Sequence, residues 1–395
     1  MTPDSSKQKL FIILPRIPFP LEKGDKLRAY YQIRELSKHF QLIICALSDD
    51  KPRPGAREAL QKYAESVYFI QLSRWRIFFR LFKALFSSIP FQTAWFFSHC
   101  AQKKIDKLIL THQPDHVYCQ LIRTAPYARN LAVNKTLDYQ DAFSAGLQRR
   151  LSVSPWYMRL PIREEYKRVK NFEYEVFDWF DNKTIISLPD RDMLSHPKKA
   201  TVKVVPNGVD TDYFKPSELD KVFDIVFTGN MGYPPNVSGA DFLVNQIMPL
   251  VWNEMPETNV VIAGANPAQR VKALASDKVI VTGWVDDIRP YYAKSRIFAA
   301  PMQIGTGMQN KVLEAMAMKL PCLTSGLANQ PIGASEGEAV LIGRNAAEYA
   351  QHILSLLRDT ELAQKIGING YHFVCQNFNW ESTTTILRDA INSQV

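Results

Sequence analysis

The stretch PMQIGTGMQNKVLEAMAMKLPCLTS (Pro301–Ser325) decides the fold of the C-terminal half. It begins where an apolar strand ends, passes through two glycines into a strongly helical run, and leads into a further apolar strand after Pro321. This order of strand, glycine turn, helix and strand is typical of the βα units of a parallel sheet. The free N–H groups at the start of such a helix favour an anion, and glycines let it come close.

Lys311 and Glu314 are three residues apart near the start of this helix, so they share one of its faces. Lys311 offers a full positive charge to a phosphate, and the carboxylate of Glu314 is suited to accept hydrogen bonds from both hydroxyls of a ribose. The segment therefore fits a nucleoside diphosphate. The alternative from the residues alone is an exposed i, i+3 pair beside an ordinary glycine turn.

The same alternation of strands and helices runs through both halves of the chain. The runs KLFIILP, QLIICAL, SVYFIQL and HVYCQL precede Pro206, and VFDIVFTGN, ETNVVIAGA, KVIVTGW and SRIFAAP follow it. A chain of 395 residues also exceeds the usual size of one domain. We predict an α/β fold of two Rossmann-like parallel-sheet domains facing across a cleft, with limits 1–190 and 191–372 and a C-terminal helix in 373–395 that crosses back.

GTGMQNKVLEAMAMKLPCLTS resembles the donor-binding region of family 4 glycosyltransferases, which are retaining enzymes of the GT-B fold. The resemblance extends to VVPNGVDTDYFKP (Val204–Pro216) and to KVIVTGWVDDIRPYYAKSRIFAAPM (Lys278–Met302). PRIPFPLEKGDKLRAYYQIRELSKHF (Pro15–Phe40) is similar to the subset associated with bacterial surface glycan or exopolysaccharide assembly. The resemblance as a whole implies that a sugar is transferred from a UDP- or GDP-sugar, bound by the C-terminal domain, to a glycan or lipid-linked acceptor on the N-terminal domain.

The resemblance also implies roles for individual residues of the donor site. Glu314 would bind the donor ribose and Lys311 the diphosphate. The remaining residues expected to line this site are Gly229, Asn230, Gly305, Thr306, Gly307 and Met308. Thr306 stands where the family often has a glutamate that contacts the donor sugar, so the identity of the sugar stays open. The segment NMGYPPN (Asn230–Asn236) lacks the Arg and Lys common there in the family, so phosphate binding would depend more on Lys311 and backbone amides.

Candidate residues of the N-terminal domain follow its first and later strands. Gly24 lets the chain approach the transferred sugar or a phosphate, and Arg28 is a candidate to pair with a phosphate of donor or acceptor. Asp25 either orients a hydroxyl or caps a helix, in which case Arg28 is solvated. In TLDYQDAFS (Thr136–Ser144), Asp138 and Asp141 follow an apolar run, where a carboxylate either steers the acceptor hydroxyl or accepts its proton, or else caps a helix or forms a turn. Asp25 and Asp141 are the candidate catalytic residues, and neither is assigned securely.

The net charge of +9 is concentrated in one half of the chain. Residues 1–200 carry 33 Lys and Arg against 20 Asp and Glu, a net charge of +13. RWRIFFRLFKALFSSIP (residues 74–90) is a candidate basic amphipathic helix, which either lies on an anionic bilayer or packs its aromatic side into the core. A lipid-linked pyrophosphate acceptor would explain both features, whereas no nucleic-acid module is found. We therefore expect peripheral membrane contact through residues 74–90 and no nucleic acid.

The composition narrows the remaining choices. No run of 18 or more apolar residues is free of charge and the chain opens without a cleavable hydrophobic segment, which predicts a cytoplasmic protein, peripheral on the inner face of the membrane. We expect no metal and no other cofactor, with the nucleotide sugar as co-substrate. A noncatalytic nucleotide-sugar or glycan-binding protein of the same fold, motivated by Thr306, and a nucleotide-sugar epimerase are the alternatives. An oxidoreductase is disfavoured because prolines occupy the turn after the first strand, where a GxGxxG loop would lie.

Overall fold

The computed structural model describes residues 7–21, 24–304 and 307–393. The chain divides into two compact α/β units, one formed by Met1–Pro206 with Trp380–Val395 and the other by Asn207–Asn379. Each unit has its own parallel sheet and hydrophobic core. The predicted fold class of two Rossmann-like parallel-sheet domains is confirmed.

The first unit is built on a seven-stranded sheet in the order β3-β2-β1-β4-β5-β6-β7. Its strands are β1 (Lys9–Leu14), β2 (Gln41–Ser48), β3 (Ser66–Gln71), β4 (His116–Gln120), β5 (Asn134–Asp138), β6 (Asn182–Ile185) and β7 (Lys203–Val204). All pairs are parallel, and β1 is paired on both sides, so that Phe11 lies opposite Ile43 and Val117. Because the chain leaves β1 first towards β2 and later resumes at β4, the topological switch point lies between β1 and β4.

Helices connect these strands, as parallel pairing requires. They are α1 (Gly24–Leu36), α2 (Ala56–Gln61), α3 (Arg74–Ala84), α4 (Phe91–Phe96), α5 (His99–His112), α6 (Ala125–Ala128), α7 (Phe143–Val153), α8 (Trp156–Phe177) and α9 (Leu188–Met193), followed by a 3₁₀ turn at Lys199–Thr201. In α1, the residues Ala29, Ile33 and Leu36 recur every three to four positions and are buried, which fixes the face that packs on the sheet.

The second unit has a six-stranded parallel sheet in the order β10-β9-β8-β11-β12-β13. Its strands are β8 (Phe223–Thr228), β9 (Val260–Ala263), β10 (Val279–Val281), β11 (Ser295–Ala300), β12 (Cys322–Thr324) and β13 (Leu341–Ile342). The switch point lies between β8 and β11, whose carboxyl ends lead into Gly229 and into the loop at 301–309. The residues predicted to bind the donor therefore follow the two strands that flank this point.

The helices of the second unit surround this sheet. They are α10 (Pro234–Phe242), a π-helical turn (Leu243–Ile247), α11 (Met248–Glu254), α12 (Gln269–Lys272), α13 (Arg289–Ala293), α14 (Asn310–Ala317), α15 (Gly326–Asn329), α16 (Ala346–Arg358) and α17 (Thr360–Asn377). The final helix, α18 (Trp380–Asn392), belongs to the first unit. There Trp380 stacks on Tyr31 with ring centres 5.0 Å apart, and Asn182 Nδ2 donates to the carbonyl of Ser393 at 3.1 Å.

The limits of the two units differ from the predicted limits 190/191 and 372/373. The short strand β7 pairs with β6, with Thr184 opposite Lys203, and this ladder keeps the segment up to Pro206 in the first unit. At the other end, α17 stays with the second unit and the chain passes to the first unit only at Trp380. Of the helices that the structure describes, none combines the length and apolar character needed to cross a bilayer.

Candidate functional site

Lys311 lies in the first turn of α14 with its side chain directed into the second unit. It is only 8% exposed. Its Nζ donates to Asn236 Oδ1, lies 3.4 Å from Met302 Sδ, and sits 4.8 Å from the centre of the Phe227 ring. Burial lowers the pKa of Lys311 to about 7, and only Glu314 opposes that shift. The interpretation of Lys311 and Glu314 as an exposed ion pair is therefore wrong, because the ammonium is buried against an amide and an aromatic ring.

Glu314 lies one turn further along α14 and is held by a buried tyrosine. Its Oε2 accepts a hydrogen bond of 2.9 Å from Tyr292 Oη, which also lies 2.7 Å from Thr228 Oγ1. Burial raises the pKa of Glu314, and the hydrogen bond from Tyr292 and the charge of Lys311 oppose that rise. In the part of the chain that the structure describes, the other oxygen, Oε1, has no hydrogen-bond partner. One oxygen is thus fixed by the protein, which leaves the second for a ligand.

Two glycines shape the backbone beside this cluster. Gly229 and Gly264 follow β8 and β9 with φ of +146° and +145°, in the region that favours glycine. A Cβ on Gly264 would lie 1.8 Å from the carbonyl oxygen of Gly229, and a Cβ on Gly229 would lie 2.7 Å from Asn236 Nδ2. Asn236 Nδ2 also donates to the carbonyl of Asn230 at 2.9 Å. Gly264 therefore makes room for the backbone of Gly229, and Gly229 makes room for the Asn236 amide that receives Lys311.

The loop between β11 and α14 contains the other predicted donor-binding residues. Gly307 has φ of +80° and is half-buried, and Met308 packs partly against the hydrophobic core. Gln309 Nε2 donates to the carbonyl of Gly307 at 3.2 Å, which closes the turn before the helix. Gly305 and Thr306 lie outside the described residues. The structure thus brings Gly229, Asn230, Lys311 and Glu314 together at the switch point, with Gly307 and Met308 leading into the helix.

The arrangement has the chemistry of an anion site next to a hydroxyl acceptor. A diphosphate would supply the negative charge that the buried Lys311 lacks, and the first N–H groups of α14 would add their partial positive charge. The Oε1 atom of Glu314 would be the acceptor for hydrogen bonds from ligand hydroxyls. Nothing in the described residues 7–21, 24–304 and 307–393 groups three His, Cys, Asp or Glu side chains in a way that could hold a metal ion.

Arg28 lies in α1, after the first strand as predicted, but its side chain is neither solvated nor open to a ligand. Its side chain is fully buried, with Nε 2.7 Å from Asp138 Oδ2 and Nη2 3.3 Å from Oδ1. Tyr118 Oη donates to the same carboxylate at 3.0 Å, and Thr184 Oγ1 donates to it at 3.0 Å. Arg28 falls on the buried face of α1 with Ala29 and Gln32. This burial argues against a phosphate contact and equally against a solvated side chain, because the guanidinium is already paired inside the sheet.

The other candidates of the first unit remain near its carboxyl edge. Gly24 begins α1, and a Cβ there would meet no described atom within 4 Å. Asp25 Oδ2 forms an ion pair of 2.5 Å with Arg16 Nη1. Asp141 is half-buried, and burial together with the nearby Asp190 raises its pKa to about 7. A carboxyl group that titrates near neutrality has the property a proton acceptor needs, so the prediction for Asp141 stands as a prediction.

The amphipathic helix predicted in residues 74–90 is α3. Only Ile77 and Ala84 of this helix are buried, whereas Trp75 is 79% exposed and Phe79 is 61% exposed. The interpretation that the helix packs its aromatic side into the core is therefore wrong. An exposed aromatic face with basic neighbours is unusual for a folded surface.

Several side chains that complete these sites were not found from the sequence. Tyr292 and Asn236 lie within segments quoted above, but their contacts with Glu314 and Lys311 join residues 22 and 75 positions apart. Arg123 follows β4 by one turn, and its position after a strand end was a signal that could have been used.

Comparison with known proteins finds a family match within the second unit. Residues 222–359 match the family described as glycosyl transferases group 1. An uncharacterized 44.6 kDa protein in the cps region of Klebsiella pneumoniae is 22% identical, covering 94% of this chain and 96% of its own length. A GDP-mannose-dependent α-(1-6)-phosphatidylinositol monomannoside mannosyltransferase of Mycobacterium tuberculosis is 28% identical over 220 residues, or 48% of this chain and 55% of the relative.

Two solved structures show the same fold. Sucrose-phosphate synthase from Thermosynechococcus elongatus has a TM-score of 0.71 at 15% identity, over 97% of this chain and 98% of that chain. HepE from Anabaena, in complex with UDP, has a TM-score of 0.68 at 13% identity, over 98% of this chain and all of that chain (100%). The chain therefore has the GT-B fold, and its residues 222–359 are similar to the glycosyl transferases group 1 family.

Proposed function

We propose that this protein is a retaining glycosyltransferase that moves a sugar from a UDP- or GDP-sugar to a glycan or lipid-linked acceptor during bacterial surface polysaccharide synthesis. The mycobacterial relative is named for GDP-mannose, and the Anabaena structure holds UDP, so both bases are represented among similar proteins. The Klebsiella relative is named for the cps region, which supports a role in polysaccharide synthesis.

The observation that carries this proposal is the cluster of Lys311, Glu314, Asn236 and Tyr292 at the switch point of the second sheet. It lies within the matched domain at 222–359. A buried ammonium held by an amide, one turn before a carboxylate with one oxygen engaged, provides separate contacts for a diphosphate and a ribose. In doubly wound sheets, ligands bind at this edge and at this point.

The transfer step would depend on stabilising the departing nucleoside diphosphate. Lys311 and the first N–H groups of α14 would bind its developing negative charge, and electrostatic stabilisation of this kind is often the largest contribution to catalysis. We propose that these groups take the place of a metal ion, so transfer should persist in excess EDTA. Loss of activity in EDTA that returns with added Mg²⁺ would contradict this part of the proposal.

We also propose that α3 holds the protein against the inner face of the cell membrane. Trp75 and Phe79 are exposed beside the basic Arg76 and Lys83 on the same helix. Each basic residue near an anionic leaflet contributes about 1 kcal/mol, and aromatic side chains add apolar burial at the interface. Sedimentation with phosphatidylglycerol vesicles tests this contact, and binding that is unchanged by 0.5 M salt and by Trp75→Ser would contradict it.

The donor site is tested by thermal shift with a panel of UDP- and GDP-sugars, because a ligand of the folded state must raise its stability. We expect one donor to stabilise the wild type, and Glu314→Ala to lose that response. Glu257→Ala is the matched control, since Glu257 is an exposed glutamate of the same unit. If no nucleotide sugar shifts the wild type at millimolar concentration, the donor site is wrong.

Turnover then separates the possible activities. With the donor identified, NMR of the product should show transfer with the anomeric configuration of the donor retained. Inversion of configuration would contradict the retaining mechanism. Conversion of the donor sugar without any acceptor would indicate an epimerase, and binding without transfer or hydrolysis would indicate a noncatalytic binding protein.

A further inference from the structure

A cavity separate from the donor-site residues lies wholly within the first unit, at the carboxyl edge of its sheet. Arg16 follows β1, Asp49 follows β2 and Arg123 follows β4, and all three line the cavity together with side chains of α3 and α4. Its volume is about 610 Å³, within the range of about 300–1,000 Å³ of small-molecule sites. The position coincides with the switch point between β1 and β4, where doubly wound sheets bind ligands.

The walls of this groove are apolar and open to solvent. One wall is formed by α3, where Phe78 is 64% exposed and Phe82 is 56% exposed. The facing wall carries Trp95, whose indole Nε1 donates to Asp49 Oδ2 at 3.1 Å, which fixes the ring in place. Aromatic side chains left in water in this way gain free energy when an apolar group covers them. A groove of this shape is suited to a hydrocarbon chain.

One end of the groove carries two guanidinium groups over a single ring. Arg16 and Arg123 lie 5.7 Å and 5.3 Å from the centre of the buried Phe96 ring. Arg16 is paired with Asp25, whereas Arg123 donates through Nε to the neutral Gln92 Oε1 at 3.1 Å. Among the described residues, no carboxylate oxygen lies within ion-pair distance of Arg123.

Arg123 also lies 4.8 Å from the centre of the Phe143 ring, so its charge is balanced by aromatic rings and an amide rather than by a carboxylate. Burial and the nearby Arg16 lower the pKa of Arg123 to about 10, although Asp25 and Asp141 oppose the shift. Two neighbouring guanidinium groups form the arrangement that binds a phosphate, because each presents several fixed N–H donors. The polar end of the groove thus complements an anion, and its walls complement an alkyl or isoprenoid chain.

We propose that this groove binds a single-chain lipid phosphate or diphosphate, with its chain between Phe82 and Trp95 and its head at Arg16 and Arg123. The role of this lipid as the part of the acceptor that carries the glycan rests on the proposed function. A free phosphate has no apolar part that could cover the aromatic walls. A bilayer surface would contact exposed side chains of α3 alike, whether or not they line the groove.

Binding of farnesyl diphosphate to the full-length protein, measured by titration calorimetry below the micelle concentration and without any donor, tests this inference. Inorganic diphosphate and farnesol are the head-only and tail-only probes. Phe82→Ser removes a wall residue, and Phe79→Ser is its matched control, because Phe79 is on the same helix, 61% exposed, and outside the groove. Arg123→Gln is compared with Arg76→Gln, which changes an arginine of α3 outside the groove.

We expect farnesyl diphosphate to bind at least about tenfold more tightly than either partial probe. Phe82→Ser and Arg123→Gln should each weaken it about tenfold, and the two control variants should stay within about twofold of wild type. Equal losses in Phe79→Ser and Phe82→Ser would overturn the groove in favour of a general membrane surface. If inorganic diphosphate bound as tightly as the lipid, the role assigned to the hydrocarbon chain would be wrong. If farnesol bound as tightly as the lipid, the role assigned to the phosphate head group would be wrong.

Because this titration uses no nucleotide, its outcome is separate from that of the donor site. A protein that binds UDP- or GDP-sugars but not farnesyl diphosphate keeps the proposed function and loses this inference. A protein that binds the lipid but no nucleotide sugar keeps the groove and loses the proposed transfer.

Discussion

The affinity for UDP or GDP should fall steeply as pH rises above neutrality, because a diphosphate needs the charge of Lys311. Burial lowers the pKa of this lysine to about 7 in the free protein, so roughly half of the molecules lack the charge near pH 7. A bound diphosphate favours the ammonium and raises its pKa again. Binding above pH 7 must therefore take up a proton, and the free energy of that protonation is lost from the affinity.

The size of the effect follows from the fraction of charged lysine. With a pKa of about 7 for Lys311, that fraction falls from about a quarter at pH 7.5 to about 1% at pH 9.0. The apparent dissociation constant should therefore rise about 20-fold over this interval. The terminal phosphate does not contribute, since its last ionisation, with a pKa near 6, is already complete.

Titration calorimetry in two buffers of different ionisation enthalpy measures both quantities at once. We expect uptake of about one proton per nucleotide at pH 8.5 in the wild type. Lys311→Met should bind weakly and without pH dependence, whereas Lys319→Met, which changes an exposed lysine just beyond α14, should keep the wild-type profile. An affinity that varies less than about twofold between pH 7.5 and 9.0, or a Lys311→Met variant that retains the slope, would refute this reasoning.

For the free protein the same pKa shift acts on stability with the opposite sign. The unfolded chain has the ordinary lysine pKa of 10.5 and the folded chain a pKa of about 7, so the unfolded state binds more protons between these values. The contribution of Lys311 to the free energy of unfolding therefore rises as pH increases through that window. Over the same pH range, nucleotide binding therefore weakens while the ligand-free protein becomes more stable against unfolding.

Two further predictions concern the frame around the sites. Gly264→Ala should lower the free energy of unfolding by more than about 3 kcal/mol and abolish nucleotide binding, because its Cβ would lie 1.8 Å from the backbone oxygen of Gly229. Gly283→Ala, which adds a Cβ with no atom within 4 Å, should cost only the roughly 1 kcal/mol of its left-handed backbone in the same urea titration. Arg28→Met should cost about 3–5 kcal/mol, since Asp138 is left buried without its charged partner, and Asp138→Leu in the same chain should recover only part of that loss, because Tyr118 and Thr184 then lose their acceptor. A double variant less stable than Arg28→Met would contradict this account of the ion pair.

Much of the fold was predictable because it rests on local patterns. The alternation of apolar runs and helical segments predicted two parallel sheets, and Pro301–Ser325 contains the predicted helix and strand as α14 and β12. The junction near Pro206 was harder to locate. The strand that decides it, β7, has only two residues, Lys203 and Val204, and it is fixed by pairing with β6 rather than by any periodicity of its own.

The site was predictable only to the extent that its residues are neighbours in the chain. The spacing of Lys311 and Glu314 placed them on one face of a helix, but it could not show that each turns to a different partner. Lys311 reaches Asn236, 75 positions earlier, and Glu314 reaches Tyr292, 22 positions earlier. Arg28 illustrates the same limit, because its partner Asp138 lies 110 positions away. The two residues meet only because the buried face of α1 packs near the end of β5.

The buried cations of the two units have a common physical explanation. Lys311 in the second unit and Arg123 in the first each follow a strand beside a switch point, and burial lowers the pKa of both. Removing a cation from water costs free energy, and neither residue has a carboxylate in ion-pair contact among the described side chains. A purely structural role would be served as well by an uncharged side chain of similar volume. On the two proposals made above, an anionic ligand restores the interactions that burial removed, and each site favours a phosphate-bearing ligand over a neutral sugar or a neutral lipid.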